Sequence, residues 1–237
     1  MQLAVTGQAI CTGEERIIAV NTKDGRQRWT SKVNGKYGIS AADGLAVAVS
    51  SSVLTGMDAD TGRRRWTYPM DYGSDQLVGE GMAFACDRFE TLHVVRADDG
   101  TPVWQRPKVR GYDAQLGGGL VYVEGDDGTL LALRTGTGGV AWSRQLMPGA
   151  KKVPSSQENT PGLVGGTLYV ACSDESLYAL DAADGHIQWT YDADSVMRTR
   201  PVSVGGLVFI ATVDGHIRAL VPPPSAPNGT GGRRGSP

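Results

Sequence analysis

Apolar residues along the chain fall in short runs of about four to six, separated by stretches rich in Gly, Asp and Asn. Such runs are too short for helices and long enough for strands. One phrase recurs, in which an apolar run enters an acidic, glycine-tipped turn and meets a tryptophan four residues past that glycine. Its five copies are "IIAVNTKDGRQRW", "LTGMDADTGRRRW", "LHVVRADDGTPVW", "LLALRTGTGGVAW" and "LYALDAADGHIQW". They end at Trp29, Trp66, Trp104, Trp142 and Trp189, spaced by 37, 38, 38 and 47 residues, and no tryptophan is left over. Upstream of each phrase a glycine opens another strand, as in "GLAVAV" at Gly44, "GMAFAC" at Gly81, "GLVYVE" at Gly119, "GTLYVA" at Gly166 and "GLVFIA" at Gly206; the first copy reads as "QLAVTG" from Gln2. A further stretch of strand length, such as "TRPVSV" ending at Val204, separates each tryptophan from the next such glycine.

Four short antiparallel strands repeated at about 40 residues predict an all-β chain folded as a β-propeller of four-stranded blades. About six repeat units are present, with five tryptophan strands. Residues 1–221 form the predicted propeller, and 222–237, "PPPSAPNGTGGRRGSP", a disordered tail poor in apolar residues. A buried indole needs an acceptor for its N–H. The five tryptophans are therefore expected to be blade staples, each stacking over the neighbouring blade's turn glycine and small residue (Ala19, Gly56, Val94, Ala132, Ala179). The final unit runs into prolines before a tryptophan strand, and the first is expected to start at Gln2 with the second strand of a blade. On that reading the chain is the C-terminal part of a ring of seven or eight blades.

These phrases resemble the tryptophan-docking repeat of the pyrroloquinoline-quinone-like β-propellers, consensus roughly "LYALDAxTGxxxW", from Gln2 to about Leu220. That resemblance implies relatives among quinoprotein alcohol dehydrogenases, an outer-membrane assembly lipoprotein and the propeller domains of bacterial Ser/Thr kinases. The family's enzymes hold the quinone over a tryptophan and under a disulfide of adjacent cysteines, beside a calcium ion. Here Cys11, Cys86 and Cys172 stand far apart, and every tryptophan is committed to a blade. The expectation is thus a sensor or scaffold module that binds a protein or small molecule and uses no cofactor and no metal. The alternative is a quinone-dependent alcohol or sugar dehydrogenase. The same resemblance leaves room for a kinase or other domain upstream of Met1, with an extracytoplasmic location expected if that segment carries a membrane anchor and a cytoplasmic one otherwise.

Composition removes other classes. A formal net charge of −2 from 23 basic and 25 acidic residues offers no field for nucleic acid or an anionic membrane. No apolar run approaches the roughly 18 residues that would span a bilayer. The acidic pairs Asp58/Asp60, Asp98/Asp99, Asp126/Asp127 and Asp181/Asp184 recur at equivalent turns, where turn chemistry accounts for them. His93, His186 and His216 occupy different strand positions. There is no GxSxG elbow, and "GTGTGG" before Val140 lacks the helix that would receive a phosphate.

In a repeat, polar positions that differ between copies are where a particular function is written. At the start of each presumed inner strand stand Lys36 and Tyr37, then Asp75, then Tyr112 and Asp113, then Glu158 and Asn159, then Arg198 and Arg200. Those nine residues are the candidate ligand-binding positions at one mouth of the central channel. The longest spacing inserts "MPGAKKVPSSQENTPG" ahead of the fifth inner strand, a loop of the kind that carries binding function.

Overall fold

The computed structural model describes residues 3–6, 8–12, 16–33, 38–50, 52–71, 73–125, 127–146, 160–197 and 199–223. The expected tail lies outside them apart from its first two residues. Every regular element among the described residues is a strand. The first sheet comprises β1 (Leu3–Thr6), β2 (Gln8–Thr12), β3 (Ile17–Val20) and β4 (Gln27–Ser31). The second comprises β5 (Ile39–Ala42), β6 (Leu45–Val49), β7 (Val53–Asp58) and β8 (Arg64–Pro69). The third holds β9 (Ser74–Gly79), β10 (Met82–Cys86), β11 (Leu92–Arg96) and β12 (Pro102–Arg106). The fourth holds β13 (Val109–Gly117), β14 (Leu120–Gly125), β15 (Thr129–Arg134) and β16 (Val140–Gln145). The fifth holds β17 (Thr160–Val164), β18 (Thr167–Ala171), β19 (Ser176–Asp181) and β20 (Ile187–Asp192), and the sixth β21 (Val202–Val204), β22 (Leu207–Ala211) and β23 (Ile217–Leu220).

Each sheet is an antiparallel meander in chain order, four-stranded five times and three-stranded in the sixth. First strands of successive sheets run beside one another, β1 by β5, β5 by β9, β9 by β13 and β13 by β17. They form the inner side of the row, and the tryptophan strands the outer side. The first sheet corrects the reading from Gln2: Leu3–Thr6 is a first strand, not a second, and the sheet is complete. The sequence carries the reason. Gly7 stands 22 residues before Trp29, as Gly44 does before Trp66, so the second-strand phrase is "GQAICT".

Local chemistry sets the meander. In the second to sixth sheets the first and second strands are joined by two-residue turns in which both residues have positive φ, as with 51° at Asp43 and 73° at Gly44, a geometry whose twist matches that of the flanking strands. Strand alternation then divides the core between neighbours. In β6, Leu45, Val47 and Val49 pack toward the third sheet, and Ala46 and Ala48 toward the first. In β18, Leu168 and Val170 face the fourth sheet while Tyr169 and Ala171 face the sixth. The core is therefore a series of five layers, each drawn from two successive sheets. A run apolar on both faces, such as "LAVAV", is what a strand with a sheet on either side requires.

Candidate functional site

The tryptophans set the spacing between sheets. On each fourth strand the register shifts just before the tryptophan, where a bulge places an extra residue opposite the third strand, as at Gly56/Met57 and Ala132/Leu133. Bulges bend a strand and re-aim its side chains. Trp29 donates its indole N–H to the Ala59 carbonyl (3.1 Å), Trp66 to Ala97 (2.8 Å), Trp104 to Thr135 (2.7 Å) and Trp142 to Ala182 (3.0 Å), each in the following sheet. The same rings lie against that sheet's turn glycine. A Cβ at Gly62 would stand 2.4 Å from the Trp29 ring, and one at Gly185 2.5 Å from Trp142. Only glycine fits there, and its φ of +70° and +72° also favours it. The small residue (Ala19, Gly56, Val94, Ala132, Ala179) belongs to the tryptophan's own sheet, directly opposite it, rather than to the neighbour's. Trp189 is half-buried in the layer between the fifth and sixth sheets, its ring centroid 5.8 Å from that of Tyr169.

At the side where the inner strands begin, the candidate residues coincide with breaks in the strand ladder. Ser74 pairs with Cys86 and Gln76 with Ala85, so Asp75 is the extra residue of a bulge in β9. In β13 the pairing passes from Arg110 opposite Glu124 to Gln115 opposite Tyr122, which leaves 111–114, with Tyr112 and Asp113, in a larger bulge. Next to Asp75, the buried Gln76 Oε1 has no hydrogen-bond partner among the described residues. A buried acceptor of this kind calls for a donor from water or a ligand. Arg200 precedes β21 and is exposed, its stem 3.4 Å from where a Gly162 Cβ would stand. Lys36, Tyr37, Glu158, Asn159 and Arg198 lie outside the described residues, as does most of the insertion ahead of the fifth inner strand.

A buried polar chain joins the second and third sheets, and sequence reasoning did not single it out. Asp87 Oδ1 accepts from the Phe89 and Thr91 N–H groups (2.8 and 2.9 Å), and its Oδ2 lies 3.0 Å from His93 Nε2. His93 Nδ1 is 3.1 Å from the Tyr68 hydroxyl, which accepts from Gln105 Nε2 at 2.7 Å. A neutral imidazole with its proton on Nε2 satisfies every member: it donates to Asp87 and accepts the Tyr68 O–H. The available signal was substitution, because His93 stands where other copies carry Ile18, Thr55, Leu131 and Tyr178.

The acidic turn residues and the two described cysteines are engaged in structure. Asp58 Oδ1 accepts from the Asp60 and Thr61 N–H groups (3.1 and 2.9 Å), Asp99 from Thr101 (2.8 Å) and Asp181 from Ala183 (2.8 Å), all between third and fourth strands; Asp127 accepts from Thr129 (2.9 Å) between a second and a third strand, so its pair is not at the equivalent turn. The Arg65 guanidinium on Asp58, with the Thr61 hydroxyl, lowers its carboxyl to about 2. Burial pushes the Cys172 thiol well up, and Cys86 is buried in another sheet. Among the described residues no three His, Cys, Asp or Glu side chains converge as metal ligands, and no helix is long and apolar enough to cross a membrane. A cavity of about 1220 Å³ lies between the fourth and fifth sheets, lined by Gly118, Tyr122, Arg134, Leu163, Gly166 and Gln188. It sits beside the turns where inner strands end, across the molecule from the bulges, and none of the nine candidate residues lines it.

The sequence matches the family described as outer membrane protein assembly factor BamB over residues 2–76, 71–179 and 157–222. Among solved structures the fold is similar to that of BamB from Moraxella catarrhalis, at 14% identity over 92% of this chain and 81% of the other, with a TM-score of 0.53. A computationally designed protein, Ika8, is similar at 14% identity over 93% of this chain and 70% of the other, with a TM-score of 0.73. A europium-containing methanol dehydrogenase is similar at 14% identity and a TM-score of 0.59; the match covers 85% of this chain and 53% of that one. No curated protein matches the chain at a significant level.

Proposed function

We propose that this chain, which belongs to the PQQ-like β-propeller family of the outer membrane protein assembly factor BamB, is a non-enzymatic module that binds a protein. Binding falls on the side where the inner strands begin. The observation that carries this reading is the coincidence of the unit-specific residues Asp75, Tyr112 and Asp113 with bulges in two adjacent inner strands. A bulge weakens a ladder and persists where re-aiming a residue matters, commonly beside a binding or active site. The unpartnered Gln76 Oε1 at the same bulge supports a ligand that brings a hydrogen-bond donor.

Quinone chemistry does not suit the residues present. The resemblance to quinoproteins would ask for a tryptophan face and adjacent cysteines. Four of the five indoles are pressed on turn glycines and donate to backbone carbonyls. Cys86 and Cys172 are buried in separate sheets. Similarity to the methanol dehydrogenase, at 14% identity, is a likeness of fold alone.

The test is a cross-linking capture from the source cells with the chain and with its Asp75→Ala/Tyr112→Ala/Asp113→Ala variant. A discrete partner captured by the first and lost by the folded variant is the expected result. A capture pattern unchanged by the variant would refute binding at this side.

A further inference from the structure

The cavity of about 1220 Å³ between the fourth and fifth sheets has a smaller counterpart, of about 440 Å³, between the second and third. The two correspond position for position in the repeat: Ala42, Leu45, Val78 and Gly81 line the smaller where Gly117, Leu120, Leu163 and Gly166 line the larger. Asp43, Arg65, Glu80, Arg96 and Asp98 complete the wall of the smaller cavity, and the same positions of the larger are Gly118, Ala141, Gly165, Asp181 and Ala183. Four charged side chains have thus given way to glycine or alanine, and the cavity is wider for it. One charge is stranded by the change. In the second sheet Arg65 pairs with Asp58; in the fourth, Arg134 stands at the Asp58 position and Ala141 at that of Arg65. Arg134 forms no ion pair among the described residues, and its guanidinium makes one long hydrogen bond, Nη1 to the Val140 carbonyl at 3.4 Å. Alternation along β15 puts it on the face of Leu130 and Ala132, which turns to the fifth sheet. Asp181, the acidic residue on the cavity wall, falls on the face of Leu177 and Ala179, which turns to the sixth, and its carboxylate accepts from the Ala183 N–H at 2.8 Å.

The gap between the third and fourth sheets shows what such a place accepts. There the Glu80 carboxylate reaches across and accepts from the Gly119 N–H at 3.1 and 3.2 Å. One unit further on, Gly118 stands where Glu80 does and Gly166 where Gly119 does, and no acceptor meets the Gly166 N–H among the described residues. We propose that the cavity between the fourth and fifth sheets is a binding site for a carboxylate, carried by a free organic acid or by a glutamate side chain of a peptide. The carboxylate takes the place of the missing acid, on the Gly166 N–H and the Arg134 guanidinium, and its aliphatic stem lies against Leu120 and Leu163. Hydrogen bonds from a guanidinium to a carboxylate are charge-assisted and favour a planar anion. The site lies across the molecule from the inner-strand bulges, so it stands or falls independently of binding there.

The probes are N-acetylglutamate methylamide and glutarate, titrated into the isotope-labelled chain and followed by NMR at the Gly166 amide and the Arg134 Nε–H. Saturating shifts at both groups are expected, with half-saturation at about 1–10 mM, the scale of a single small-anion contact. N-acetylglutamine methylamide has the same shape without the charge and should bind on the order of 10-fold more weakly. Tighter binding of the blocked glutamate identifies a peptide side chain as the source of the carboxylate, and tighter binding of glutarate a free acid. Arg134→Gln, at an exposed position, should weaken either acid on the order of 10-fold. Gly118→Glu supplies the carboxylate that the third sheet carries at Glu80; the φ of 52° at Glu80 is close to the 66° of Gly118, and nothing lies within 4 Å of a Cβ there. This variant should keep its circular dichroism and lose binding. Shifts that fail to saturate below about 50 mM, equal binding of the glutamine probe, or undiminished binding by either folded variant would overturn the proposal.

Discussion

Replacing Trp142 by alanine should be among the most damaging single changes outside glycine and proline positions. The indole is only 9% exposed, packs between Ala132 of its own sheet and Gly185 of the next, and lies 5.9 Å from the Tyr122 ring centroid. A buried tryptophan removes roughly 200 Å² from water, which at about 25 cal/mol per Å² sets a ceiling near 5 kcal/mol. The hydrogen bond adds little to the loss. The Tyr122 hydroxyl also donates to the Ala182 carbonyl, at 3.0 Å, so that acceptor stays satisfied when the indole goes. The expected cost is about 3 to 5 kcal/mol. At a urea slope of about 3 kcal/mol per molar, this lowers the midpoint by roughly 1 M or more. Far-UV and near-UV circular dichroism should be followed together, since layered repeats can unfold in parts. Trp142→Phe keeps part of the stack and should cost clearly less. A loss under about 1 kcal/mol for Trp142→Ala would mean that the indole does not hold the fourth and fifth sheets together.

Other outcomes follow from the same contacts. Gly185→Ala must place a Cβ 2.5 Å from Trp142 at a φ of +72°, and should destabilise by at least about 2 kcal/mol in urea titration. His93→Ala removes the link between Asp87 and Tyr68 and should cost about 2 to 3 kcal/mol, with His93→Gln milder. The Asp58 carboxyl is held at about 2, below its usual 3.8, so the stability it contributes is present above about pH 4 and is lost as the pH falls toward 2. Arg65→Met should flatten that part of a stability-versus-pH curve, and an unchanged curve would remove the ion pair from the account. Arg200→Ala, at an exposed position, should leave the urea midpoint nearly unchanged, within about 1 kcal/mol.

The sheet architecture was legible because propeller geometry repeats, so five copies of one phrase report on one another. The partner of each indole was half legible. The next sheet's turn glycine was legible as the seat of the indole, but the small residue's place opposite the tryptophan in its own sheet was not, because cross-strand partners depend on the bulge just before the tryptophan. The start of the first sheet was misread at Gln2 because "QLAVTG" imitates a second strand in composition, while the distance to Trp29 favours Gly7. At the inner strands the variable positions were visible as departures from the repeat. The bulges at Asp75 and at 111–114 were not, since an extra residue in one strand becomes apparent only against its partner. The Asp87–His93–Tyr68 chain was hidden for a related reason, as its members come from two sheets and 25 residues separate Tyr68 from His93.

Reconstitution with the quinone tests the proposal that this propeller is non-enzymatic. The purified chain is incubated with pyrroloquinoline quinone and calcium, and separately with the quinone and a lanthanide, and dye reduction is followed over a panel of primary alcohols and aldoses. Rates equal to those of quinone and metal without protein are expected, because four of the five indoles are pressed on turn glycines and no adjacent cysteines are present. Substrate-dependent dye reduction that requires both the chain and the quinone would contradict it.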